Sequence, residues 1–597
     1  MKSFLYSFLG SLLAIILLPI IFFFLIFGAF LVQEYAWGKS GPKTLRKESI
    51  LHLKLNHPLP EKKQPLSLDF FEMGIEELLK GGEQLTIRQV LKRLHQATHD
   101  PKIKGVFLDL TELHPSLYAK AEAMKLFEIR RMIDTIRAAG KPVIAYSEYL
   151  MFPQWILGAA ADSFFIHPEG IVSVAGVSAT ALYLRGLLDK LKITPIELRI
   201  GKYKSAAESI TRKEMSPGER EQLQRMLDVF YRYYYLEPGT YRKLSFVELD
   251  SAIRRGDFVF DVSHLEAAGM IDGRRTRDEV EAIIDKWVDD DRPIEEKLVT
   301  LPNYKGKSSL PHTSNRIGII VAEGGIVMKG NPKEQISALD LISLIRKAAA
   351  DDQIKAVVLR VNSPGGDALA SEIIYREIQR LREKKPVVVS MSSLAASGGY
   401  YISCGADSIF AYPTTLTGSI GVIGLLINPS RLITEELNIN PYTLKVGQYA
   451  DLGNMSRPMK EEEKAVVMQY MRRVYDVFVK RVAAGRTLDT AYVRSIAGGR
   501  VWMGIDAKEK GLIDAIGTYD DAVAAAAQLA GIQEYRVRLV RPPKEKWLIP
   551  LSVDVAAILR SVVPPHYRQT VEQSIQWWQS SSVLSPVKLI MPFMLID

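Results

Sequence analysis

The segment Asp-Asp-Gln-Ile-Lys-Ala-Val-Val-Leu-Arg-Val occupies residues 351–361, and a close match, Asp-Pro-Lys-Ile-Lys-Gly-Val-Phe-Leu-Asp-Leu, occupies residues 100–110. Each copy ends in a short apolar run, which is typical of a buried strand. In the second copy a helical pattern follows at about 368–383, and a second apolar run then covers Val387 to Met391. Buried strands that alternate with helices indicate an α/β fold with parallel sheets and crossover helices.

The correspondence between the two segments continues along the chain. Further matches pair Lys-Pro-Val at 141–143 with 385–387, Ala-Asp-Ser-Phe-Phe-Ile-His-Pro at 161–168 with Ala-Asp-Ser-Ile-Phe-Ala-Tyr-Pro at 406–413, and Leu-Arg-Ile-Gly-Lys-Tyr at 198–203 with Leu-Lys-Val-Gly-Gln-Tyr at 444–449. The offset stays between 244 and 251 residues, a register that chance matches would not keep. We therefore predict two tandem domains of one fold.

The length of 597 residues is more than one hydrophobic core usually serves, which agrees with at least two domains. Apolar residues make up 47% and charged residues 24%, a globular balance that excludes large-scale disorder. The predicted segments are a membrane anchor (1–33), an N-terminal repeat (34–304), a linker (305–314), a C-terminal repeat (315–540) and a C-terminal tail (541–597).

The charge and the cysteine content exclude several classes of function. The formal net charge of +9 is a mild bias over this length, and no Lys/Arg run is dense enough to indicate nucleic-acid binding. Cys404 is the only cysteine, which excludes an internal disulfide and a Cys-based metal site. We expect no nucleic-acid partner, no metal and no cofactor.

The N-terminal segment from Leu5 to Val32 contains no charged residue and exceeds the roughly 20 residues that cross a bilayer. A cleavable signal peptide has a shorter apolar region that ends in small residues, so we predict an uncleaved, single-pass anchor in the lipid bilayer. Lys2 precedes the segment, whereas four basic residues follow it at 39, 43, 46 and 47. By the positive-inside rule this charge distribution favours a cytoplasmic body.

Two glycine-rich turns follow the two apolar runs of the second repeat. They read Asn-Ser-Pro-Gly-Gly-Asp at 362–367 and Ala-Ala-Ser-Gly-Gly-Tyr at 395–400. In a parallel sheet both turns lie at the carboxyl ends of strands, where α/β proteins bind ligands. A serine that begins a helix after such a turn has an exposed hydroxyl beside free backbone N–H groups. Ser397 is therefore a candidate nucleophile.

The glycines of these turns are candidates for an oxyanion site. A tetrahedral intermediate needs two N–H donors aimed at its negative oxygen, and glycine lets the backbone approach it closely. We expect one donor from Gly365 or Gly366. The other would come from Gly398 or from Ser397 itself.

A serine nucleophile also needs a general base. The nine histidines include none between His312 and His566, so the repeat that carries Ser397 supplies no histidine. His167 lies where the other repeat has Tyr412, which indicates a structural role. A lysine can take the part of the base when desolvation lowers its pKa towards neutrality.

The repeat narrows the search for that lysine. Ser397 corresponds to Phe152 in the first repeat, which has lost the nucleophile. Lys204, in Gly-Lys-Tyr-Lys-Ser, corresponds to Ala450 in the second. This complementary loss indicates one composite site that takes its serine from one repeat and its lysine from the other. Lys202 is the competing base, and the Tyr-Lys-Ser register favours Lys204.

The soluble chain resembles the long, two-repeat form of the signal peptide peptidase A (protease IV) family, peptidase family S49. The resemblance rests on Ser-Pro-Gly-Gly at 363–366, Ala-Ala-Ser-Gly-Gly-Tyr at 395–400, Thr-Gly-Ser-Ile-Gly-Val at 417–422 and Gly-Lys-Tyr-Lys-Ser-Ala at 201–206. It implies tandem ClpP/crotonase-like domains. It also implies a serine endopeptidase with Ser397 as nucleophile, Lys204 as general base and an oxyanion donor near Gly365.

Further expectations follow from the resemblance alone. Ser419 would orient the lysine through a hydrogen bond. The protein would form a homotetramer that degrades cleaved signal peptides. Its catalytic body would lie outside the cytoplasmic (inner) membrane of a bacterium, and we follow the family on this point over the charge count.

Two other functions are compatible with parts of the pattern. A crotonase-type enzyme that acts on acyl-CoA thioesters would share the two-amide oxyanion site, but that chemistry usually uses a carboxylate and no membrane anchor. A non-catalytic membrane scaffold would not need Ser397, Lys204 and both Gly-Gly turns intact. Binding of CoA would distinguish the first of these from a peptidase.

Overall fold

The computed structural model describes residues 45–62, 85–119, 122–306, 313–331 and 334–541. The predicted anchor (1–33), the middle of the predicted linker and the predicted tail beyond Arg541 lie outside the described residues. Within the described ranges, no helix is both long enough and apolar enough to cross a membrane.

The N-terminal half is built on a six-stranded sheet. The strands of this half are β1 (Ser49–Lys54), β2 (Ile103–Asp109), β3 (Val143–Leu150), β4 (Ser163–Val172), β5 (Thr194–Ile200), β6 (Gly273–Arg274) and β7 (Leu298–Thr300). All but β5 join the sheet, in the order β6-β4-β3-β2-β1-β7, and every neighbouring pair is parallel.

Helices connect these parallel strands. They are α1 (Ile87–His99), α2 (Ala123–Ala138), α3 (Phe152–Gly158), α4 (Arg185–Lys190), α5 (Glu208–Thr211), α6 (Pro217–Tyr231), α7 (Phe246–Arg255), α8 (Val262–Ala267), α9 (Arg277–Asp285) and α10 (Ile294–Lys297). In α1 the buried residues Ile87, Val90, Leu91 and Leu94 recur at helical spacing, and the Thr86 side chain caps the first turn.

The C-terminal half repeats this plan with an eight-stranded sheet. The strands of this half are β8 (Arg316–Glu323), β9 (Gly325–Val327), β10 (Gln335–Ser337), β11 (Ile354–Ser363), β12 (Val387–Ala396), β13 (Ser408–Ala411), β14 (Leu416–Gly418), β15 (Val422–Asn428), β16 (Val501–Met503), β17 (Ala515–Ile516) and β18 (Arg536–Leu539). Strands β9 and β10 pair with each other and β15 pairs with β5, outside the eight-stranded sheet. The order is β16-β14-β12-β11-β8-β18, and β13 and β17 extend from β12. Only the β14–β16 pair of this sheet is antiparallel.

The second set of helices is α11 (Ala338–Ala350), α12 (Ala368–Arg382), α13 (Gly398–Tyr401), α14 (Glu461–Arg486), α15 (Thr490–Ile496), α16 (Gly504–Glu509) and α17 (Tyr519–Leu529). Successive residues of β11 pack into different apolar clusters: Val357 and Leu359 join one, Ala356 and Val358 the other. The sheet is therefore buried on both faces, as parallel sheets usually are. The predicted α/β class, with parallel sheets and crossover helices, is confirmed.

One pair of strands joins the two halves. Strand β5 of the N-terminal half pairs antiparallel with β15 of the C-terminal half, so that Ile200 lies opposite Val422. Lys204 follows the end of β5 by four residues, and Ser419 precedes β15 by three. The ribbon therefore brings the lysine turn of one repeat to the serine turns of the other.

A buried charge cluster also lies where the halves meet. Arg360, on β11, is 1% exposed. Its guanidinium donates to Glu61 Oε1 (2.8 and 3.0 Å) and Ser390 Oγ (2.9 Å) and lies 3.3 Å from Glu128 Oε1. Both carboxylates come from the N-terminal half and are buried. Arg360 thus balances the charge of one carboxylate, and burial raises the pKa of Glu128 to about 7.

We expect Arg360→Met to lower the free energy of unfolding by about 3–5 kcal/mol, because it leaves two buried carboxylates without their partner. Urea denaturation measures the change. The matched control is Arg346→Met, since Arg346 is exposed and its ion pair with Glu377 (3.0 Å) should contribute at most about 1 kcal/mol. Equal losses in the two variants would contradict this view of the cluster.

Candidate active site

Ser397 lies between the end of β12 and the first turn of α13. Its backbone has φ 54° and ψ −119°, a conformation that a residue with a side chain adopts only under strain. Its N–H donates to the Gly418 carbonyl (2.9 Å), which holds the turn. The strained turn presents the hydroxyl at the carboxyl edge of the sheet, as expected for a nucleophile on an α/β scaffold.

The two Gly-Gly turns meet beside this serine. A Cβ atom on Gly365 would lie 2.5 Å from the Gly398 nitrogen and 2.8 Å from Ser397 Cβ, so only glycine allows this approach. The Gly365 N–H donates to Ser363 Oγ (3.1 Å), and the Ser397 N–H is used by Gly418. In the described part of the chain, neither the Gly366 N–H nor the Gly398 N–H donates to another residue. Of the predicted oxyanion donors, these two amides are available.

Lys204 approaches Ser397 from the other half of the molecule. Its Nζ lies 3.0 Å from Ser397 Oγ, although the two residues are 193 apart in the chain. The side chain is buried, with 6% of the residue exposed. Burial lowers the pKa of Lys204 to about 8, because the charged ammonium loses its water. A neutral amine beside a serine hydroxyl can accept its proton.

Ser419 completes the surroundings of the amine. Lys204 Nζ donates to Ser419 Oγ (2.8 Å) and to the Ser419 carbonyl (2.9 Å). Ser419 itself has φ +52°, and its N–H donates to the Arg500 carbonyl (2.7 Å). These contacts fix the direction of the amine. The predicted serine, lysine and orienting serine therefore lie together in one chain.

Lys202, the competing base, points elsewhere. It is exposed, and its Nζ lies 4.5 Å from the centre of the Tyr203 ring. The geometry therefore favours Lys204 over Lys202 as the partner of Ser397.

Sequence reasoning missed a third glycine pair, Gly498-Gly499. The Tyr203 N–H donates to the Gly498 carbonyl (2.9 Å), and the Gly499 N–H donates to the Ile420 carbonyl (2.8 Å). A Cβ atom on Gly499 would lie 2.5 Å from Lys204 Cβ. This segment is therefore inserted between the lysine turn and the Ser419 turn. In the sequence, the Gly-Gly pair itself was the feature that could have indicated this close backbone approach.

The described ranges contain no group of three or more His, Cys, Asp or Glu residues arranged to hold a metal ion. The polar groups that surround Ser397 are an amine, a hydroxyl and backbone amides. Such a set suits acyl transfer through a serine ester, in which charge develops on a carbonyl oxygen and a proton moves between Oγ and Nζ.

Comparison with known families agrees with this site. The model of peptidase family S49 matches the chain twice, at residues 135–289 and 379–533. The model of the Clp protease family matches residues 310–417, which include Ser397. The double match confirms the predicted tandem repeat of ClpP-like domains.

The similar proteins that align with most of this chain are named as proteases. A "Protease 4" from Haemophilus influenzae is 31% identical over 93% of this chain and 90% of its own, and a "Protease 4" from Salmonella typhi is 32% identical over 76% and 74%. A "Serine protease SPPA, chloroplastic" from Arabidopsis thaliana is 36% identical over 75% of this chain and 66% of its own. These matches favour a peptidase over an acyl-CoA enzyme. The chain belongs to peptidase family S49, in its tandem-repeat form, and is a serine-type peptidase.

Proposed function

We propose that the protein is a serine endopeptidase in which Ser397 is the nucleophile and Lys204 is the general base. The observation that carries the proposal is the 3.0 Å approach of Lys204 Nζ to Ser397 Oγ in a buried setting. Lys204 accepts the hydroxyl proton while Oγ bonds to the peptide carbonyl carbon. The carbonyl oxygen becomes an oxyanion, which the Gly366 and Gly398 amides stabilise.

The remaining steps use the same groups. Collapse of the tetrahedral intermediate breaks the C–N bond, and the Lys204 ammonium returns its proton to the leaving amine. Water then attacks the acyl ester while Lys204 accepts a proton. The second intermediate collapses, and Ser397 Oγ leaves with that proton.

The pH dependence of cleavage tests the state of Lys204. Only the neutral amine accepts a proton, and its fraction rises with pH through a pKa of about 8. We therefore expect kcat/KM to rise about tenfold per pH unit below pH 8 and to level off above it. A stopped assay on an unstructured peptide between pH 6 and 10 measures the profile. An acid limb centred near pH 6.5 would indicate a different base.

We also propose that each chain completes its own dyad, because both residues belong to one chain in the structure. Ser397→Ala and Lys204→Ala chains can be co-expressed with different tags and purified as mixed assemblies. If the dyad is formed within one chain, the mixture stays inactive, since every site has one defect. Recovery of about a quarter of the wild-type activity would indicate a dyad formed between chains.

The substrates we propose are cleaved signal peptides at the membrane. The proposal is supported by membership of family S49 in its tandem form and by the predicted anchor. The catalytic body would then lie on the outer side of a bacterial cytoplasmic membrane. Purified full-length protein should cut apolar signal-peptide sequences and spare folded proteins, as followed by mass spectrometry. Protease added to spheroplasts should digest the body; full protection would contradict this orientation.

We propose a closed ring of four chains, and the repeat supports it. In the C-terminal repeat, the segment that corresponds to β5 is 440–446, at an offset of 246 residues. In the N-terminal repeat, the segment that corresponds to β15 is 177–183, at an offset of 245 residues. Neither segment forms a strand in the described structure, and Val446 is 98% exposed. Pairing of 440–446 of one chain with 177–183 of the next would repeat the β5–β15 contact. Such head-to-tail pairing generates a ring when the rotation between neighbouring chains closes.

The mass of the assembly tests the ring. Val446→Asp should convert tetramers to smaller species in light scattering, because it places a charge in the proposed contact. Leu529→Asp is the matched control, since Leu529 is also exposed but lies at the end of α17. A tetramer unchanged by Val446→Asp would contradict the pairing.

A further inference from the structure

Gln222 is a buried amide near the candidate active site that the mechanism does not yet use. It lies on α6 and is 6% exposed. Its Nε2 donates to the Tyr203 carbonyl (3.2 Å) and to Ser205 Oγ (2.8 Å). Its Oε1 accepts the Val501 N–H (3.2 Å). One side chain therefore makes three hydrogen bonds to two distant segments.

The two segments that Gln222 joins are those that carry the amine and its orienting serine. Tyr203 and Ser205 flank Lys204 on both sides. Val501 begins β16 and lies opposite Gly418 of β14, and Ser419 follows directly. The Gln222 amide thus connects the lysine turn of the N-terminal half to the strand pair that ends at Ser419 in the C-terminal half.

Besides the backbone bond from the Tyr203 N–H to the Gly498 carbonyl (2.9 Å), a second side-chain link between these segments is more exposed. Arg500 Nη1 donates to Glu221 Oε1 (2.6 Å) and to the Tyr203 hydroxyl (3.2 Å), and Glu221 also accepts from that hydroxyl (2.8 Å). The side chain of Glu221 is half exposed, so water and salt weaken this network. Gln222 supplies the buried side-chain link, where a hydrogen bond constrains geometry most strongly.

Comparison of the two repeats shows that the buried glutamine and the lysine occur in the same half of the chain. Asp-Val-Phe at 228–230 recurs at 476–478, an offset of 248 residues, so Gln222 corresponds to Tyr470. Tyr470 is 54% exposed, and its half of the chain has Ala450 in place of Lys204. The repeat without the lysine therefore also lacks the buried glutamine.

We propose that Gln222 is a positioning residue that holds Lys204 Nζ against Ser397 Oγ across the boundary between the halves. The inference rests on the proposed function of Lys204 as general base. Gln222 contacts neither the reacting atoms nor the oxyanion amides. Its loss should therefore affect the chemical step and leave peptide binding unchanged.

Gln222→Met tests the proposal, because methionine keeps the approximate volume and removes all three hydrogen bonds. We expect kcat to fall about 10- to 100-fold with KM within about twofold, since a displacement of the base by about 1 Å can cost 100-fold. The acid limb of the pH profile should move from about pH 8 towards higher pH as water reaches the amine. Gln224→Met is the matched control, because Gln224 is on the same helix but bonds only to exposed Asp228.

A second variant keeps the test valid if Gln222→Met folds poorly. Ser205→Ala removes one of the three bonds from the opposite side and should lower kcat in the same direction by a smaller factor. An unchanged kcat and acid limb in the folded variants, or an equal loss in Gln224→Met, would overturn the proposal. The proposed function fails separately if Lys204→Met retains turnover. If Lys204→Met is inactive and Gln222→Met is normal, only the inference about Gln222 fails.

Discussion

Ser397→Ala is expected to lower kcat/KM for an unstructured peptide by about 10⁴-fold or more, because Ser397 Oγ lies both 3.0 Å from Lys204 Nζ and beside the glycine amides that would hold the oxyanion, whereas Ser419 Oγ is engaged in orienting the amine. The folded structure should be unchanged, since the Ser397 turn is held by backbone contacts such as the N–H to the Gly418 carbonyl. Lys204→Ala should cause a loss of similar order. The measurement is steady-state cleavage of a fluorogenic peptide at pH 8.5.

The control for the serine variant is Ser495→Ala. Ser495 is exposed on α15, and its hydroxyl donates only to the Tyr492 carbonyl (2.7 Å). Its activity should equal that of the wild type. Retention of more than about 1% of the wild-type activity in Ser397→Ala would show that the nucleophile lies elsewhere.

Lys204→Met is expected to stabilise the protein while it abolishes activity. Folding lowers the pKa of Lys204 from 10.5 to about 8, so the unfolded state binds the proton more tightly. The contribution of Lys204 to the free energy of unfolding therefore rises with pH between about 8 and 10.5. Below pH 8, burial of the charged ammonium lowers the free energy of unfolding by its full amount, about 3 kcal/mol. Methionine removes this cost but leaves the acceptors of Ser419 without their donor, which offsets about 1 kcal/mol or more.

The net expectation is a free energy of unfolding about 1–3 kcal/mol higher than that of the wild type at pH 7, with a smaller difference at pH 10. Urea denaturation at the two pH values measures it. Lys202→Met is the control, and it should change stability by less than about 0.5 kcal/mol because Lys202 is exposed. If Lys204→Met is less stable than the wild type at pH 7, the view that burial of the Lys204 amine destabilises the fold is wrong.

The pairing of Ser397 with Lys204 could be predicted because the repeat compares each position with a counterpart. Phe152 replaces the serine in one copy and Ala450 replaces the lysine in the other. Local patterns also sufficed for the strands β11 and β12 and for the turns that follow them. The α/β class was predictable because buried parallel strands are apolar along their whole length.

Other features depend on contacts between distant segments and left little local signal. The inward-facing Arg360 interrupts an apolar strand, but its partner Glu61 lies 299 residues earlier in the chain. The choice between the Gly365 and Gly366 amides depends on Ser363 Oγ, which accepts from Gly365. The role of Gly498-Gly499 follows from the way two halves pack, and the membrane anchor stays a prediction.

The composite site has a consequence for the two repeats. The N-terminal half carries Lys204, the proposed base, and the C-terminal half carries Ser397, the proposed nucleophile, and the β5–β15 ribbon joins the two halves beside them. Neither repeat alone should therefore cleave peptides. Mutations that loosen the boundary between the halves should act on turnover through the distance from Nζ to Oγ.

The most direct test of this account is the rate at which a fluorophosphonate probe modifies Ser397, followed by mass spectrometry in the wild type and in Lys204→Met. Ser397 should be modified in the wild type at a rate that rises with pH through about 8. In Lys204→Met, Ser397 should be almost unmodified at each of these pH values. Modification of Ser397 at the wild-type rate in Lys204→Met, or modification of a different serine in the wild type, would contradict this account.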